Sequence, residues 1–284
     1  MPDNLLQLRE GAEPTTTFVH PASGLATAFR RLVPHLGGRA SVFAFENVEP
    51  GSPQHATIPA IAEDYWGQLR VGIRGPLVLA GWSFGGPVAL RIAALAEAAG
   101  HQVRHVVLID SGTPELLATR TETLVVRMAG LFELDPATVE AADHVTDREQ
   151  ALELVASRLR AVHGNPGIEA ADLRPFADVY DWHLRAARQP WRPRTVAAPV
   201  LLVRARDEAG WHDAPADLGW SAVLGAAPAT AWTPGTHYDL MSATNAPHLA
   251  DVLTPLLTVS GEPCGSSEQG SSGQRSEHWS DSRD

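Results

Sequence analysis

A chain of 284 residues with 44% hydrophobic side chains, 24 glycines and 22 prolines has the composition of one large globular enzyme domain with many loops. Its net charge of -11 argues against nucleic acid as a partner, and the absence of a long apolar run argues against a membrane span or a secretory signal. The single cysteine, Cys264, excludes an internal disulfide and the 12 histidines lack metal-binding spacing, so the sequence predicts a cytoplasmic protein without a metal site.

Strands and helices alternate through the first part of the chain, as far as Asp110. Hydrophobic periodicity predicts strands at 15–20, 41–45, 77–80 and 103–109, and helices at 25–36, 58–71 and 88–99. This alternation is typical of an α/β fold, in which a mostly parallel sheet is covered by helices on both faces.

The alternation stops at Pro114 and resumes only near Pro199. Three helices, and no strand, are predicted between them, at 115–131, 147–162 and 172–187. The second helix carries apolar residues on one face, namely Leu152, Val155, Leu159 and Val162. An all-helical segment from about 114 to 188 is too long for a simple crossover, so we expect it to form a lid whose inner side is apolar.

The strand pattern returns at 199–204 and 230–232, and a last helix is predicted at 246–257. Beyond Ser260 the chain is rich in serine and glycine and nearly free of apolar residues. We therefore expect one domain over 1–260, followed by a dispensable, disordered tail over 261–284.

The segment P-L-V-L-A-G-W-S-F-G-G-P (76–87) is the most informative in the chain. It places Ser83 on a turn from a buried strand into a helix and fits the G-x-S-x-G nucleophile elbow. The turn is too tight for side chains two residues before and after the serine, which explains Gly81 and Gly85. The pattern predicts that Ser83 is a nucleophile, raised above the carboxyl edge of the sheet.

An elbow serine requires a base that reaches the same edge of the sheet. His237 follows the last predicted strand, in G-T-H-Y-D-L-M (235–241), and Gly235 permits the turn that would direct its imidazole inward. The other histidines lie on or near helices and loops where a structural role is expected. His20 ends the first predicted strand, and we interpret it as a packing or loop-stabilising residue.

Two aspartates compete to orient the imidazole of His237. Asp110 ends the strand after the elbow helix, in V-V-L-I-D-S-G-T-P (106–114), and Asp207 follows a later strand, in V-R-A-R-D (203–207). Both follow the carboxyl ends of strands, where active sites of open α/β sheets form. Asp110 is preferred because its strand should lie next to the elbow strand, whereas Asp207 could be held in a surface ion pair with Arg204 or Arg206.

An oxyanion would be stabilised by two backbone N–H groups. One should belong to Phe84, the residue after the nucleophile, and the other to the loop after the first predicted strand, where Ala22 is the candidate.

These motifs together resemble the thioesterase domains of nonribosomal peptide and polyketide synthetases, over nearly the whole chain to about Leu257. Four segments carry the resemblance: L-L-Q-L-R-E-G (5–11), F-V-H-P-A-S-G (18–24), G-W-S-F-G-G (81–86) and G-T-H-Y-D-L-M (235–241). The family has a second glycine where Ser23 stands, a small departure that leaves the Ala22 donor in place. The resemblance implies an α/β-hydrolase fold with a mobile helical lid, and it also favours Asp110 as the acid.

The resemblance further implies a Ser-His-Asp thioesterase that needs no cofactor of its own. Its substrate would be an acyl or peptidyl chain on the phosphopantetheine arm of a carrier protein, released by hydrolysis or macrocyclisation. The sequence is closer to the chain-terminating branch than to the free-standing editing (type II) branch, which remains the alternative. An inactive docking domain and a generic esterase fit the motifs less well. Met1 and the lack of a carrier domain leave open whether the chain is an excised terminal domain or a free-standing enzyme.

Overall fold

Seven strands form one sheet in the part of the chain that this computed structural model describes, residues 4–49, 55–73, 75–119, 122–134, 144–207, 211 and 214–258. The strands are β1 (Leu5–Arg9), β2 (Ala12–Val19), β3 (Ala40–Phe45), β4 (Leu77–Trp82), β5 (Val103–Ile109), β6 (Val200–Ala205) and β7 (Ala229–Thr233). Their order across the sheet is β1-β3-β2-β4-β5-β6-β7. All neighbouring pairs are parallel except β1 and β3. The predicted mostly parallel sheet is confirmed.

The sequence prediction missed β1, because a short edge strand carries little periodicity of its own. Leu5 is buried, while the rest of the strand is partly exposed along the edge of the sheet. It pairs antiparallel with β3, where Leu5 lies opposite Phe45. Its partner is distant in sequence, because β2 lies between the two strands in the chain. The strand therefore forms through tertiary pairing and not through a local pattern.

The described helices lie between the strands, in the segment after β5 and after the last strand. They are α1 (Thr27–Leu32), which continues as a 3-10 turn (Val33–His35), α2 (Ile58–Leu69), α3 (Gly85–Ala98), α4 (Pro114–Ala118), α5 (Leu124–Leu131), α6 (Arg148–His163), α7 (Ala170–Ala187), α8 (Trp220–Leu224) and α9 (Ala246–Leu257). The single helix predicted at 115–131 is wrong in one respect, since two helices, α4 and α5, occur there. Thr113 caps α4 and Thr123 caps α5, and each hydroxyl accepts a hydrogen bond from the backbone N–H three residues later. Each helix therefore has its own start.

Both faces of the sheet are buried, as β4 illustrates. Leu77 and Leu79 pack against α2 and α3, whereas Val78 and Ala80 point to the opposite face and join the cluster that includes α1 and α9. Because successive side chains of a strand point to opposite faces of the sheet, every second residue faces the same side. This two-sided core fixes the strands whose carboxyl ends carry the candidate site.

The helical insertion (114–188) has a core of its own, formed where α5, α6 and α7 meet. Leu152, Val155 and Leu159 are buried in this core together with Val125 and Leu173. The predicted helical face is thus correct, but these side chains pack against other helices of the insertion and do not form the apolar wall of a chain-binding site. Val162, predicted on the same face, is exposed because it lies in the last turn of α6, before the helix ends at Gly164.

The predicted tail, 261–284, including Cys264, lies outside the described residues. Among the described helices, none combines the length and apolar character needed to cross a bilayer. Over the same ranges, His, Cys, Asp and Glu side chains do not gather in groups that could hold a metal ion.

Candidate active site

Ser83 lies on the turn between β4 and α3 in a strained conformation. Its φ of 54° is in the left-handed region that non-glycine residues rarely adopt. A Cβ at Gly81 would lie 2.0 Å from the carbonyl oxygen of Gly85, and one at Gly85 would lie 2.3 Å from that of Val19. The glycines on either side of the serine are therefore required by the close approach of backbone.

The turn is held from β5 and the residues that follow it. The Ser83 backbone N–H donates to the Ile109 carbonyl at 2.9 Å, and the Ser111 hydroxyl donates to the Ser83 carbonyl at 2.5 Å. A Cβ at Gly86 would collide with Ser111, so this third glycine makes room for that hydroxyl. The position of Ser83 thus depends on β5 and on the residues directly after it.

His237 connects Ser83 to Asp110. Its Nε2 lies 3.1 Å from Ser83 Oγ and its Nδ1 lies 2.7 Å from Asp110 Oδ2. A carboxylate can only accept, so Nδ1 carries the proton and Nε2 is left to accept from the serine hydroxyl. The structure brings the three predicted side chains into one hydrogen-bonded chain, and all three are buried.

Asp110 is fully buried and is surrounded by donors. Besides His237, its carboxylate accepts from the Trp211 indole at 2.9 Å, the Ala205 backbone N–H at 3.1 Å and Arg204 Nε at 3.3 Å. Burial by itself would raise the pKa of Asp110, but the His237 hydrogen bond and charge, the Ala205 N–H and the Arg204 charge together hold that pKa below its ordinary value. The group is therefore ionised at neutral pH.

Asp207 does not contact His237. It is exposed, and it forms a pair of hydrogen bonds of 3.0 Å with the backbone of Gly235, one through its carboxylate and one through its N–H. These bonds hold the turn that precedes His237. The sequence interpretation that Arg204 could pair with Asp207 is wrong, because Arg204 is buried and forms its ion pair with Asp110.

The two predicted oxyanion donors flank the serine. Phe84 is the N-cap residue of α3, and Ala22 lies in the loop after β2; both line the small cavity that Ser83 and His237 also line. Within the described part of the chain, neither backbone N–H donates to another protein group. Both donors are therefore available to a developing negative charge near Ser83.

His20 has the structural environment expected for it. Its Nδ1 lies 2.8 Å from the Pro21 carbonyl and its Nε2 lies 2.7 Å from the Tyr65 hydroxyl, so both nitrogens are occupied. The ring is fully buried, and burial lowers the pKa of His20 to about 4.

Several residues around the site were missed by sequence reasoning. Arg204 reaches the site because β6 neighbours β5 and Val203 pairs with Ile109, and the sequence alone does not show this strand order. Trp211 lies in a loop and carries no local signal. His183, one of the histidines for which only a structural role is expected, lies on α7, is fully buried and contacts the loop that bears Ala22.

A mainly parallel sheet with a serine on the strained turn after β4, an aspartate after β5 and a histidine after β7 is the arrangement of an α/β-hydrolase. The thioesterase domain family model matches residues 15–257, and the chain belongs to this family.

One curated relative is a much longer protein than this chain. Enterobactin synthase component F from Escherichia coli (strain K12) is 35% identical over 116 residues, which cover 40% of this chain and 9% of that protein. The chain thus matches about a tenth of that relative's length.

Two solved structures share the fold. A four-domain nonribosomal peptide synthetase bound to AMP and glycine aligns with a TM-score of 0.72 at 23% identity, covering 91% of this chain and 20% of that chain. The NocB thioesterase domain, in a covalent complex with a fluorophosphonate nocardicin G analog, aligns with a TM-score of 0.63 at 23% identity, covering 90% of this chain and 100% of that chain.

Proposed function

We propose that this protein releases an acyl or peptidyl chain from a carrier-protein thioester through an ester intermediate on Ser83. The observation that carries the proposal is the hydrogen-bonded chain from Ser83 through His237 to Asp110 beside two available backbone N–H groups. Such an arrangement suits nucleophilic acyl transfer, because the serine is paired with a base and the base is oriented by a buried carboxylate.

In the first half-reaction, Ser83 Oγ attacks the thioester carbonyl and its proton passes to His237 Nε2. The resulting oxyanion is stabilised by the N–H groups of Ala22 and Phe84. When the C–S bond breaks, the imidazolium returns the proton to the leaving sulfur, so that a thiol and an acyl-serine ester are the products. Asp110 stabilises the imidazolium and keeps the proton of Nδ1 in place.

In the second half-reaction, water or a hydroxyl or amine of the bound chain attacks the ester. His237 takes the proton of the attacking group and then gives it to Ser83 Oγ as the ester bond breaks. Water yields a free acid, whereas an internal nucleophile yields a macrocycle. The scheme requires no cofactor within this chain, since the phosphopantetheine belongs to the carrier protein.

The chain-terminating type is supported by the acid directly after β5, because the family resemblance implies an acid at that place in the chain-terminating branch and a later acid in the editing branch. Asp110 accepts from the imidazole, while Asp207, the later acid, holds the backbone of Gly235. A carrier-protein partner is supported by the four-domain structure that shares the fold, since that protein is a nonribosomal peptide synthetase. For the substrate, the proposal names only a class, an acyl or peptidyl chain.

The test is mass spectrometry of the intact protein after treatment with a peptidyl fluorophosphonate and with a peptidyl thioester. Wild-type protein should gain one label on Ser83 and should turn over the thioester. Ser83→Ala should gain none and should lose turnover by about 10⁶-fold. Ser23→Ala, a matched change at another buried serine of the site, should keep the label. A label retained at the site by Ser83→Ala would refute the assignment.

A further inference from the structure

Two histidines hold the carbonyl groups on either side of Ala22. His20 Nδ1 donates to the Pro21 carbonyl at 2.8 Å, and the Gly24 N–H donates to the same oxygen at 2.9 Å. His183 Nδ1, from helix α7 of the insertion, donates to the Ala22 carbonyl at 2.8 Å. The loop that bears the second oxyanion donor is thus tied both to the sheet core and to the insertion.

The direction of each hydrogen bond follows from the partners. Asn47 Nδ2 lies 3.2 Å from His183 Nε2 and 3.1 Å from His55 Nδ1, and an amide nitrogen can only donate. His183 Nε2 therefore accepts, which leaves its proton on Nδ1, facing the Ala22 carbonyl. His55 Nε2 completes the series by donating to Asp64 at 2.9 Å. A consistent set of hydrogen bonds thus runs from Asp64 to the oxyanion loop.

These contacts control the direction of the Ala22 N–H. The Pro21 carbonyl and the Ala22 N–H belong to one planar peptide and point in opposite directions, so holding the oxygen also orients the N–H. His183 holds the next peptide through the Ala22 carbonyl, which restrains the rotation about the Ala22 backbone. With both peptides restrained, the Ala22 N–H keeps a fixed direction in the cavity that Ala22 shares with Ser83.

The histidine pair also packs on the residue that supplies the other donor. The Phe84 ring lies 4.9 Å from the His183 ring and 6.1 Å from the His20 ring, measured between centroids, and the two imidazoles are 4.8 Å apart. Both imidazoles are completely buried. Burial lowers the pKa of each, so both remain neutral at pH 7, which is the state that their hydrogen bonds require.

We propose that His183 is a positioning residue for the oxyanion hole, which makes the orientation of the Ala22 N–H depend on helix α7. The inference rests on the proposed function, in which Ala22 stabilises the oxyanion. Its consequence is that the insertion contributes to the reaction through the backbone of the oxyanion loop, in addition to any contact with the acyl chain.

A matched pair of variants tests this role. His183→Asn carries an amide at the place of Nδ1 and can still donate to the Ala22 carbonyl, whereas His183→Gln carries its amide near the place of Nε2 and cannot. The rate of fluorophosphonate labelling of Ser83 is the first readout, because it depends on the oxyanion hole and not on a thioester substrate. The second readout is the change in kcat and the change in KM, measured separately, for a short acyl thioester.

We expect His183→Gln to slow labelling and kcat by about tenfold or more, below the ~10²–10³ for outright loss of an oxyanion donor, with KM within about twofold. His183→Asn should stay within about threefold of wild type. Leu173→Ala, a buried change on the same helix that faces the insertion core, should lower thermal stability but leave the labelling rate unchanged.

Equal labelling rates for the Gln variant and wild type would overturn the proposal, and so would a folded Asn variant as slow as the Gln variant. If the Gln variant does not fold, the Asn variant decides alone, since a large loss in it contradicts the role. If wild-type protein is labelled at Ser83 but cleaves no thioester, the proposed substrate is wrong, while the labelling rates still decide the role of His183.

Discussion

Asp110 receives hydrogen bonds on both carboxylate oxygens, and this distinguishes it from the other aspartate considered for the site. His237 and Trp211 donate to Oδ2, while Arg204 and the Ala205 N–H donate to Oδ1. Its φ of 41° is also in the left-handed region, so backbone strain accompanies the placement of this side chain. A buried carboxylate is tolerated because so many donors compensate the loss of water.

Replacement of each aspartate by asparagine should separate their roles. In Asp110→Asn, an amide N–H that faces His237 can donate to Nδ1 and so favours the wrong tautomer of the imidazole, and it also opposes the Trp211 N–H, which can only donate. Turnover should therefore fall by up to ~10⁴-fold. Asp207→Asn keeps an oxygen for the Gly235 N–H and should cost less than about tenfold. Both are measured with one thioester at one pH, with circular dichroism as the control for folding. The reverse ranking would assign the acid to Asp207.

The elbow between β4 and α3 is an element whose shape is set by backbone clearance. We expect Gly85→Ala to reduce fluorophosphonate labelling severely and to lower the free energy of unfolding, because its Cβ would lie 2.3 Å from the Val19 carbonyl and 2.6 Å from that of His20. Gly67→Ala in α2 is the matched control, since open space surrounds its Cβ, and it should stabilise the protein by up to about 1 kcal/mol. Similar behaviour of the two variants in urea unfolding and labelling would refute the clearance argument.

The helical insertion covers the site with residues of α5 and α7. Leu131 and Tyr180 line a cavity of about 80 Å³ beside His237, and Leu184 lines the second cavity with Ser83 and Ala22. The first space is small compared with the ~300 Å³ or more of typical ligand pockets. We therefore propose that the insertion moves as a lid when a long chain binds.

Truncation of Leu184 tests whether the insertion contacts the chain. Leu184→Ala should lower kcat/KM about tenfold for a long peptidyl thioester, because burial of a leucine side chain contributes about 1.5–3 kcal/mol, and it should have little effect on an acetyl thioester. Leu152→Ala, within the insertion core, should lower stability and affect both substrates equally. Equal losses for the two substrates in Leu184→Ala would contradict a chain-binding lid.

At the scale of the whole molecule, the buried histidines make folding sensitive to acid. The pKa of His20 is lowered to about 4 by burial, and that of His183 is also well below its ordinary value. In the unfolded chain both imidazoles have the ordinary histidine pKa of ~6.5. Below that pH the unfolded state therefore binds protons that the folded state does not bind. The stabilisation that comes from keeping these imidazoles neutral is fully present above about pH 6.5, and the free energy of unfolding decreases as the pH falls toward the folded pKa.

We expect the free energy of unfolding, measured in urea, to decrease steadily between pH 7 and pH 4.5. His20 alone should contribute about 3 kcal/mol over the full window, at 1.36 kcal/mol per unit of pKa. Asp110 adds to the loss only at lower pH, because its folded pKa is below the ordinary value and its stabilisation is lost as the pH falls through that pKa. His20→Asn should reduce the slope, while the exposed His163→Asn should leave it unchanged. A flat profile from pH 7 to pH 5 would contradict this expectation.

Local patterns in the sequence determined the sheet class, six of the seven described strands and the nucleophile elbow. These features depend on a few neighbouring residues: the period of buried side chains identifies a strand, and glycines beside Ser83 identify a turn too tight for Cβ atoms. The position of His237 after the last strand was also readable, since chain order determines which edge of a parallel sheet it reaches. For the acid, strand ends narrowed the choice to Asp110 and Asp207.

Only the tertiary structure decided which distant groups surround those residues. Arg204 reaches Asp110 because β6 lies beside β5, Trp211 reaches it from a loop, and His183 reaches the Ala22 carbonyl from the insertion. The sequence pattern placed Leu152 on an apolar face but could not show that this face packs against α5 and α7. Such partners depend on strand order and helix packing, which join segments far apart in the chain, and no local pattern encodes them.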